Sequence, residues 1–130
     1  MTVRVVPTEA FDPGQEVVPG AVVELQASRC GACGRTEFPA RTSCPACGAP
    51  AARTALGTRG RLCGFTSVLH PPPGSLVEVP YHVGVVELDG AVRVMGLVDG
   101  PADALAVGLP VDTVARTAAQ DLVTYGFRLA

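Results

Sequence analysis

Cys30-Gly31-Ala32-Cys33-Gly34 and Cys44-Pro45-Ala46-Cys47-Gly48 are two matching short knuckles, with ten residues between the second and third cysteines. Four thiolates suit a tetrahedral Zn²⁺ ion, and a C-x₂-C pair lets one tight turn present two sulfur atoms. The glycine after each pair can take a positive φ, which lets backbone N–H groups approach the sulfur atoms. Because four protein ligands leave no open coordination position, we expect a structural Zn²⁺ held by Cys30, Cys33, Cys44 and Cys47.

Iron is the competing metal, because knuckles of this kind also hold the single iron of rubredoxins. Electron transfer at such an iron is usually accompanied by aromatic residues packed around the metal, and here only Phe38 is near in sequence. The fifth cysteine, Cys63, stands alone in a strand-like run. A lone cysteine is more often a small core residue than a nucleophile, and no base is visible for it.

The composition predicts a globular protein rich in β-structure. The chain has 130 residues, of which 48% are apolar, 17% are charged and 5% are aromatic, with 15 Gly and 12 Pro. Many turn residues and abundant Val favour short strands over long helices. The first ten residues lack the apolar region of a signal peptide, and no apolar run is long enough to span a membrane. We therefore expect a cytoplasmic protein without a membrane contact, in which cysteines bind metal rather than form disulfides.

The strand-like runs predict a small zinc ribbon followed by a five-stranded OB-fold barrel, a mostly β fold. We expect an N-terminal arm at 1–24, the ribbon at 25–56 and the OB-fold domain at 57–130. Residues 49–57 are expected to be a linker. The predicted barrel strands are Arg61–His70, Tyr81–Leu88, Val92–Val98, Val111–Thr117 and Leu122–Leu129, with a short helix-like stretch at Ala102–Ala106.

Asp89-Gly90 predicts a two-residue hairpin turn, because a type I′ turn needs positive φ at both central residues. That turn pairs Leu88 with Ala91, Val86 with Arg93 and Val85 with Val94. It also places His82 and Met95 on one face of the hairpin, together with Val86 and Leu88. Both faces are then largely apolar. Since a small barrel buries only one of them, we expect the outer face either to contact a partner or to be covered by the arm or ribbon.

Positive charge is concentrated around the knuckles. Six of the ten Arg residues lie between positions 29 and 61, against the single acid Glu37, and the chain has no Lys. This basic segment on an acidic body suggests contact with an anion. The alternative is that the Arg side chains are simply solvated.

The ribbon resembles a known family through the run Arg29-Cys30-x-x-Cys33-Gly34-x-x-x-Phe38-Pro39-x-Arg41-x-x-Cys44-Pro45-x-Cys47-Gly48. Members of that family join a rubredoxin-like zinc ribbon to an acyl-CoA-associated OB-fold. The resemblance covers about residues 25–129 and continues through Gly60, Phe65-Thr66, Pro80-Tyr81, Val85-Val86-Glu87-Leu88, Gly90, Val92-Arg93-Val94, Gly96, Gly108-x-Pro110-Val111 and Phe127. Ala40 departs from the family pattern, where a second Pro is usual.

The resemblance implies a non-catalytic accessory subunit in a heteromeric complex. Its partner would be a thiolase, a thiolase-like aldolase of steroid side-chain breakdown or a MaoC-like enoyl-CoA hydratase. The barrel would hold or channel acyl-CoA, while the chemistry belongs to the partner. For contact with acyl-CoA or the partner we expect Arg41, Arg59 and Arg61, whose guanidinium groups suit phosphates, together with His82 and Met95.

Two other classes of function remain. A zinc ribbon with an OB-fold also occurs in proteins that bind single-stranded nucleic acid, but such barrels need positive charge and stacking aromatics. Here the barrel segment is acidic and the isoelectric point is about 5.6, so nucleic acid is the less favoured partner. An independent enzyme would need Cys63 or His82 to act, and neither has a visible catalytic partner.

Overall fold

A computed structural model describes residues 4–74, 78–90, 92–119 and 121–130. These residues form short 3₁₀ turns at Thr8–Ala10 and Ala102–Ala104, and the remaining regular structure is strand. The strands are β1 (Arg4–Val5), β2 (Gln26–Cys30), β3 (Thr36–Glu37), β4 (Ala51–Ala55), β5 (Arg59–Val68), β6 (Tyr81–Leu88), β7 (Val92–Asp99), β8 (Pro110–Ala119) and β9 (Leu122–Leu129). No helix in this part of the chain is long and apolar enough to cross a bilayer.

Five strands close into a barrel in the order β5-β6-β7-β9-β8, with β8 pairing back onto β5. The pairs are antiparallel except β7 with β9, which is parallel. Each predicted barrel strand is present, and β6 and β9 have the predicted bounds. Strand β5 begins two residues earlier than predicted and ends at Val68. The prediction of a mostly β chain with a ribbon and a five-stranded OB-type barrel is confirmed.

The barrel strands contribute mainly aliphatic side chains to the core, together with the ring of Phe127. Leu62, Val86, Leu88, Val94, Val98 and Phe127 are all buried. Gly84 lies where strands cross closely, because a Cβ there would stand 2.6 Å from a methyl carbon of Val98. A core of this kind explains how a chain with few aromatic residues can still bury a continuous apolar surface.

The predicted hairpin register at Asp89-Gly90 is wrong by one residue. Both residues have positive φ, 55° and 68°, as expected. However, Leu88 pairs with Val92, Val86 with Val94 and Val85 with Met95. The predicted partner of Leu88, Ala91, lies outside the described residues. The observed register is favoured because the predicted one sets Arg93 opposite the buried Val86, and a one-residue slip moves every side chain to the other face.

The ribbon is a three-stranded antiparallel sheet in the order β3-β2-β4. The predicted linker at 49–57 is therefore wrong in part, since β4 occupies Ala51–Ala55 and pairs along the whole of β2. The alanines of β4 have a low intrinsic preference for strand structure, but their pairing with β2 holds them in a strand.

The N-terminal arm contacts both the barrel and the ribbon. Strand β1 pairs in parallel with β9, and Phe11 and Ala10 are buried in the core. Further along, Val22 forms an antiparallel bridge with Val114 of the barrel. The proposed boundaries at 24/25 and 56/57 stay predictions.

Candidate metal centre and the comparison with known proteins

The four knuckle cysteines come together at one end of the ribbon. One sulfur from each of Cys30, Cys33, Cys44 and Cys47 lies within 4.8 Å of the others. The Sγ atoms of Cys30 and Cys47 are 3.5 Å apart, and those of Cys33 and Cys44 are 3.7 Å apart. Cys30 and Cys44 are buried, while the second cysteine of each knuckle is exposed.

The two knuckles have the same backbone geometry. Gly34 N–H donates to the carbonyl of Cys30 at 3.0 Å, and Gly48 N–H donates to the carbonyl of Cys44 at 2.8 Å. Each glycine has φ of 77°, the left-handed region that glycine adopts without steric cost. The C-x-x-C-G sequence therefore closes each tight turn and aims two sulfur atoms at a common centre.

Backbone dipoles favour the ionised form of one of these thiols. The N–H groups of Cys33 and Ala32 both point at the sulfur of Cys30 at 3.4 Å and lower the pKa of that thiol to about 6. At Cys47 the N–H of Ala49 acts in the same direction. Two other effects outweigh it and raise the pKa of the Cys47 thiol to about 11. They are hydrogen bonding to neighbouring thiols, first of all that of Cys30, and desolvation. Without a cation the cluster would therefore ionise only in part.

The donor set fits a tetrahedral metal ion. A zinc–sulfur bond of about 2.3 Å corresponds to a sulfur–sulfur edge of roughly 3.8 Å in a regular tetrahedron. The two measured sulfur–sulfur distances, 3.5 and 3.7 Å, are close to that edge. A metal at the centre would deprotonate all four thiols and remove their mutual competition for protons.

Arg59 and Arg61, expected to contact an anion, line the same groove. The groove measures about 600 Å³ and is also lined by the acids Glu87 and Asp89. Arg59 is already paired with Asp112 through Nε and Oδ1 at 3.1 Å, while the Arg61 side chain is exposed. Arg41 is not among the lining residues; its backbone N–H donates to Ser28 Oγ at 3.0 Å in the ribbon. The structure therefore brings together two of the three arginines.

His82 and Met95 lie on opposite faces of the β6–β7 hairpin, so the expectation that they share a face is wrong. The physical reason is the register shift at Asp89-Gly90. His82 pairs with the buried Val98, and its Nδ1 lies 2.8 Å from Ser67 Oγ. Met95 points outward and is 64% exposed. Their contact with acyl-CoA or a partner stays a prediction.

A basic groove that the sequence analysis did not single out lies where the ribbon meets β7. It measures about 600 Å³ and is lined by Arg29, Gly34, Arg35, Thr36, Glu37, Phe38, Val92 and Arg93. Arg35 is paired with Glu37, and Arg93 lies 3.9 Å from Glu87. Arg93 was misplaced by the wrong register. In the observed register, Arg93 lies on the outer face of β7, near the ribbon.

Cys63 is not the buried core residue that was expected. It is half-buried at a bulge in β5, between Leu62 and Gly64, where the pairing with β6 shifts by one residue. Its thiol faces the carbonyl of Arg61 at 3.7 Å and is remote in sequence from the four-cysteine cluster.

Comparison with known proteins gives the family. Residues 22–51 match the ChsH2 rubredoxin-like zinc ribbon domain, and residues 53–116 match the ChsH2 C-terminal OB-fold domain. The chain belongs to the ChsH2 (DUF35) family. Both halves of that family's architecture, in the same order, are therefore present.

Two solved structures share this family fold. A structure named Ltp2-ChsH2(DUF35) aldolase is 29% identical, has a TM-score of 0.69, and is matched over 82% of this chain and 84% of that one. A DUF35 protein of unknown function from Sulfolobus solfataricus is 14% identical with a TM-score of 0.55, over 82% of this chain and 76% of that one, and shows the fold alone.

A curated relative from Thermomonospora curvata is named probable enoyl-CoA hydratase alpha subunit. It is 38% identical over 90 residues, which is 67% of this chain. The chain spans only 28% of that relative's length. The relative therefore contains much that this chain does not match.

Proposed function

We propose that this chain is a non-catalytic accessory subunit for an enzyme that acts on acyl-CoA. Its partner is a thiolase-superfamily aldolase or thiolase, or an enoyl-CoA hydratase. The observation that carries the proposal is the likeness to a chain of the Ltp2-ChsH2(DUF35) aldolase, which extends over more than four-fifths of both chains. The name of the hydratase subunit relative supports the same class of partner.

The outer face of the β6–β7 hairpin is the surface that we assign to the enzyme. Val83, Val85 and Leu97 are only half-buried there, and Met95 is 64% exposed between them. An arginine and a glutamate, Arg93 and Glu87, border the apolar strip at its ribbon end. An apolar centre with a charged rim is the usual anatomy of a protein interface.

The four cysteines supply the ribbon's stability through a structural Zn²⁺. Close sulfur–sulfur contacts and a closed set of four ligands support a structural role over a catalytic one. The bound metal would keep β2, β3 and β4 in the position from which they contact the barrel. Zinc is favoured over iron because the ring of Phe38 packs against the barrel rather than around the sulfur atoms.

The ligand of the complex is an acyl-CoA, for example one formed in lipid or steroid side-chain breakdown. Arg59 and Arg61 in their shared groove, with Arg41 on the ribbon, are the proposed contacts for its phosphates or for the partner. Of these, Arg61 is the best placed, because Arg59 is engaged by Asp112. Arg61→Gln should therefore weaken CoA binding to the complex more than Arg59→Gln does.

Co-expression tests the proposed assembly. The tagged, zinc-loaded chain is produced separately with a thiolase-superfamily aldolase subunit and with an enoyl-CoA hydratase subunit encoded by the same genome. One of them should co-purify in a fixed stoichiometry, and Met95→Lys should reduce its yield at least tenfold. Thr42→Lys, at an exposed ribbon position, is the matched control. If neither subunit is retained by the wild-type chain, the proposal is wrong.

A further inference from the structure

Among the described residues, the second half of β5, Gly64–Val68, has one unpaired edge. Strand β5 pairs with β8 only at Arg59, Gly60 and Arg61. Leu62 completes this junction by exchanging backbone hydrogen bonds with Gly108 and Leu109. From Gly64 to Val68 the strand pairs with β6 on one side, and no described strand pairs with its other side.

Apart from the bulge at Cys63, this edge carries no charge or proline that would prevent a free strand from pairing. The run Leu62-Cys63-Gly64-Phe65-Thr66-Ser67-Val68-Leu69 has no charged residue and no proline. Natural edge strands are commonly protected by charges, prolines or a covering element. Instead, Phe65 and Leu69 are 38% and 65% exposed along it.

We infer that a second copy of this chain pairs with this edge, antiparallel to it, about a two-fold axis near Thr66. The resulting sheet runs β6-β5 of one protomer into β5-β6 of its partner. In an antiparallel two-fold pair, a residue close to the axis lies beside its own copy, so a charge there would meet a like charge. The stretch from Leu62 to Leu69 avoids that cost entirely.

The charge that bounds the stretch, that of Arg61, is compatible with self-pairing. An antiparallel arrangement centred near Thr66 sets the Arg61 end of one strand beside the His70 end of the other, so the two Arg61 side chains lie at opposite ends. Phe65 and Leu69 then become covered by the partner protomer. The interface uses the backbone edge of β5 and adjoins the Met95 surface assigned to the enzyme, because Thr66 pairs with Val83 and their side chains share the outer face.

Light scattering on the isolated, zinc-loaded full chain tests this inference without any enzyme subunit. At about 100 µM, a concentration that populates a complex with a micromolar Kd, the mass should be near twice the 13.3 kDa of one chain. Thr66→Lys should return the mass to that of the monomer, because it sets two positive charges together at the axis. Met95→Lys, a charge on the neighbouring outer face, should leave the dimer unchanged. Far-UV circular dichroism checks that both variants fold.

Amide hydrogen exchange gives a second measurement that does not depend on a variant. Exchange at Gly64–Val68 should slow as the chain concentration rises, while exchange in the ribbon strands should not change. A monomeric wild-type chain at 100 µM and above, or a dimer that survives Thr66→Lys, would overturn the inference. So would exchange at Gly64–Val68 that slows only when the enzyme subunit is added, since that result assigns the edge to the enzyme.

Discussion

Phe38 of the ribbon lies edge-on against Tyr125 of the barrel, with ring centroids 5.5 Å apart and ring planes at 89°. Tyr125 meets Phe127 of the core at 6.0 Å. Its hydroxyl donates a hydrogen bond of 2.6 Å to the carbonyl of Met95, on the strand that carries the proposed enzyme surface. The four-cysteine ribbon is thus joined to the barrel core through three aromatic rings.

Phe38→Ala should weaken this junction. Edge-to-face ring pairs contribute about 0.5–1.5 kcal/mol beyond simple burial, and lost apolar contact adds to that. Because Phe38 is only half-buried, we expect the free energy of unfolding to fall by about 2 kcal/mol, with metal content unchanged. Urea denaturation measures it. Val107→Ala, at an exposed valine, is the control and should cost clearly less. Equal losses would mean that the Phe38 ring does not join the two parts.

Tyr125→Phe should cost about 1 kcal/mol, because the carbonyl of Met95 loses its donor. Burial raises the pKa of Tyr125, so the folded state holds this proton more tightly than the unfolded state. The contribution of protonated Tyr125 to stability is fully present below the ordinary tyrosine pKa of about 10. It is lost as the pH rises through the pKa of Tyr125 in the folded state. Ultraviolet titration should show a late-ionising tyrosine that is absent from the variant. Ionisation of Tyr125 at the ordinary tyrosine pKa would contradict this account.

Gly84→Ala should destabilise the barrel. The added Cβ would lie 2.6 Å from Val98 Cγ2 and 2.9 Å from Leu62 Cδ1, both in the packed core. Overpacking of this kind costs about 1–3 kcal/mol. Gly64→Ala in the neighbouring strand is a matched control, because nothing lies within 4 Å of its Cβ position. Thermal unfolding should show a lowered Tm for Gly84→Ala and not for Gly64→Ala. If the Tm of Gly84→Ala equals that of the wild type, the strands do not cross closely at this position.

Cys44→Ser should abolish stoichiometric metal binding and unfold the ribbon. A structural zinc contributes on the order of 10 kcal/mol to the folding of a small domain, and Cys44 is one of the two buried members of the cluster. Elemental analysis of the purified chain should find one zinc per wild-type chain and per Cys63→Ser chain. Cys44→Ser should contain almost none. Iron at the same stoichiometry in the wild type would refute the zinc assignment, and zinc lost from Cys63→Ser would refute the choice of ligands.

The elements that could be predicted from sequence are those with strong local signals. The repeated C-x-x-C-G pattern indicated which four thiols come together, since each knuckle determines its own geometry. Turn residues separated the barrel strands, and the abundance of Val between them indicated short strands. These signals act within a few residues, so they do not depend on the rest of the chain.

The features that were missed depend on pairing between distant segments. Asp89 and Gly90 have the positive φ values that their sequence suggested, but the number of residues between the paired positions was wrong, which moved Arg93 and Met95 to the wrong face. The alanine-rich strand β4 has little intrinsic preference and is defined by its pairing with β2. The junction of Phe38 with Tyr125 joins residues far apart in the chain, and no local pattern indicates it.

Turnover of acyl-CoA by the separated and recombined subunits tests the central claim most directly. The chain alone should show no activity with acyl-CoA thioesters, and adding it to the aldolase or hydratase subunit should raise that subunit's kcat/KM at least tenfold. A substitution of the partner's own catalytic residue should abolish the combined activity. Turnover by the purified chain in the absence of any partner would contradict the account.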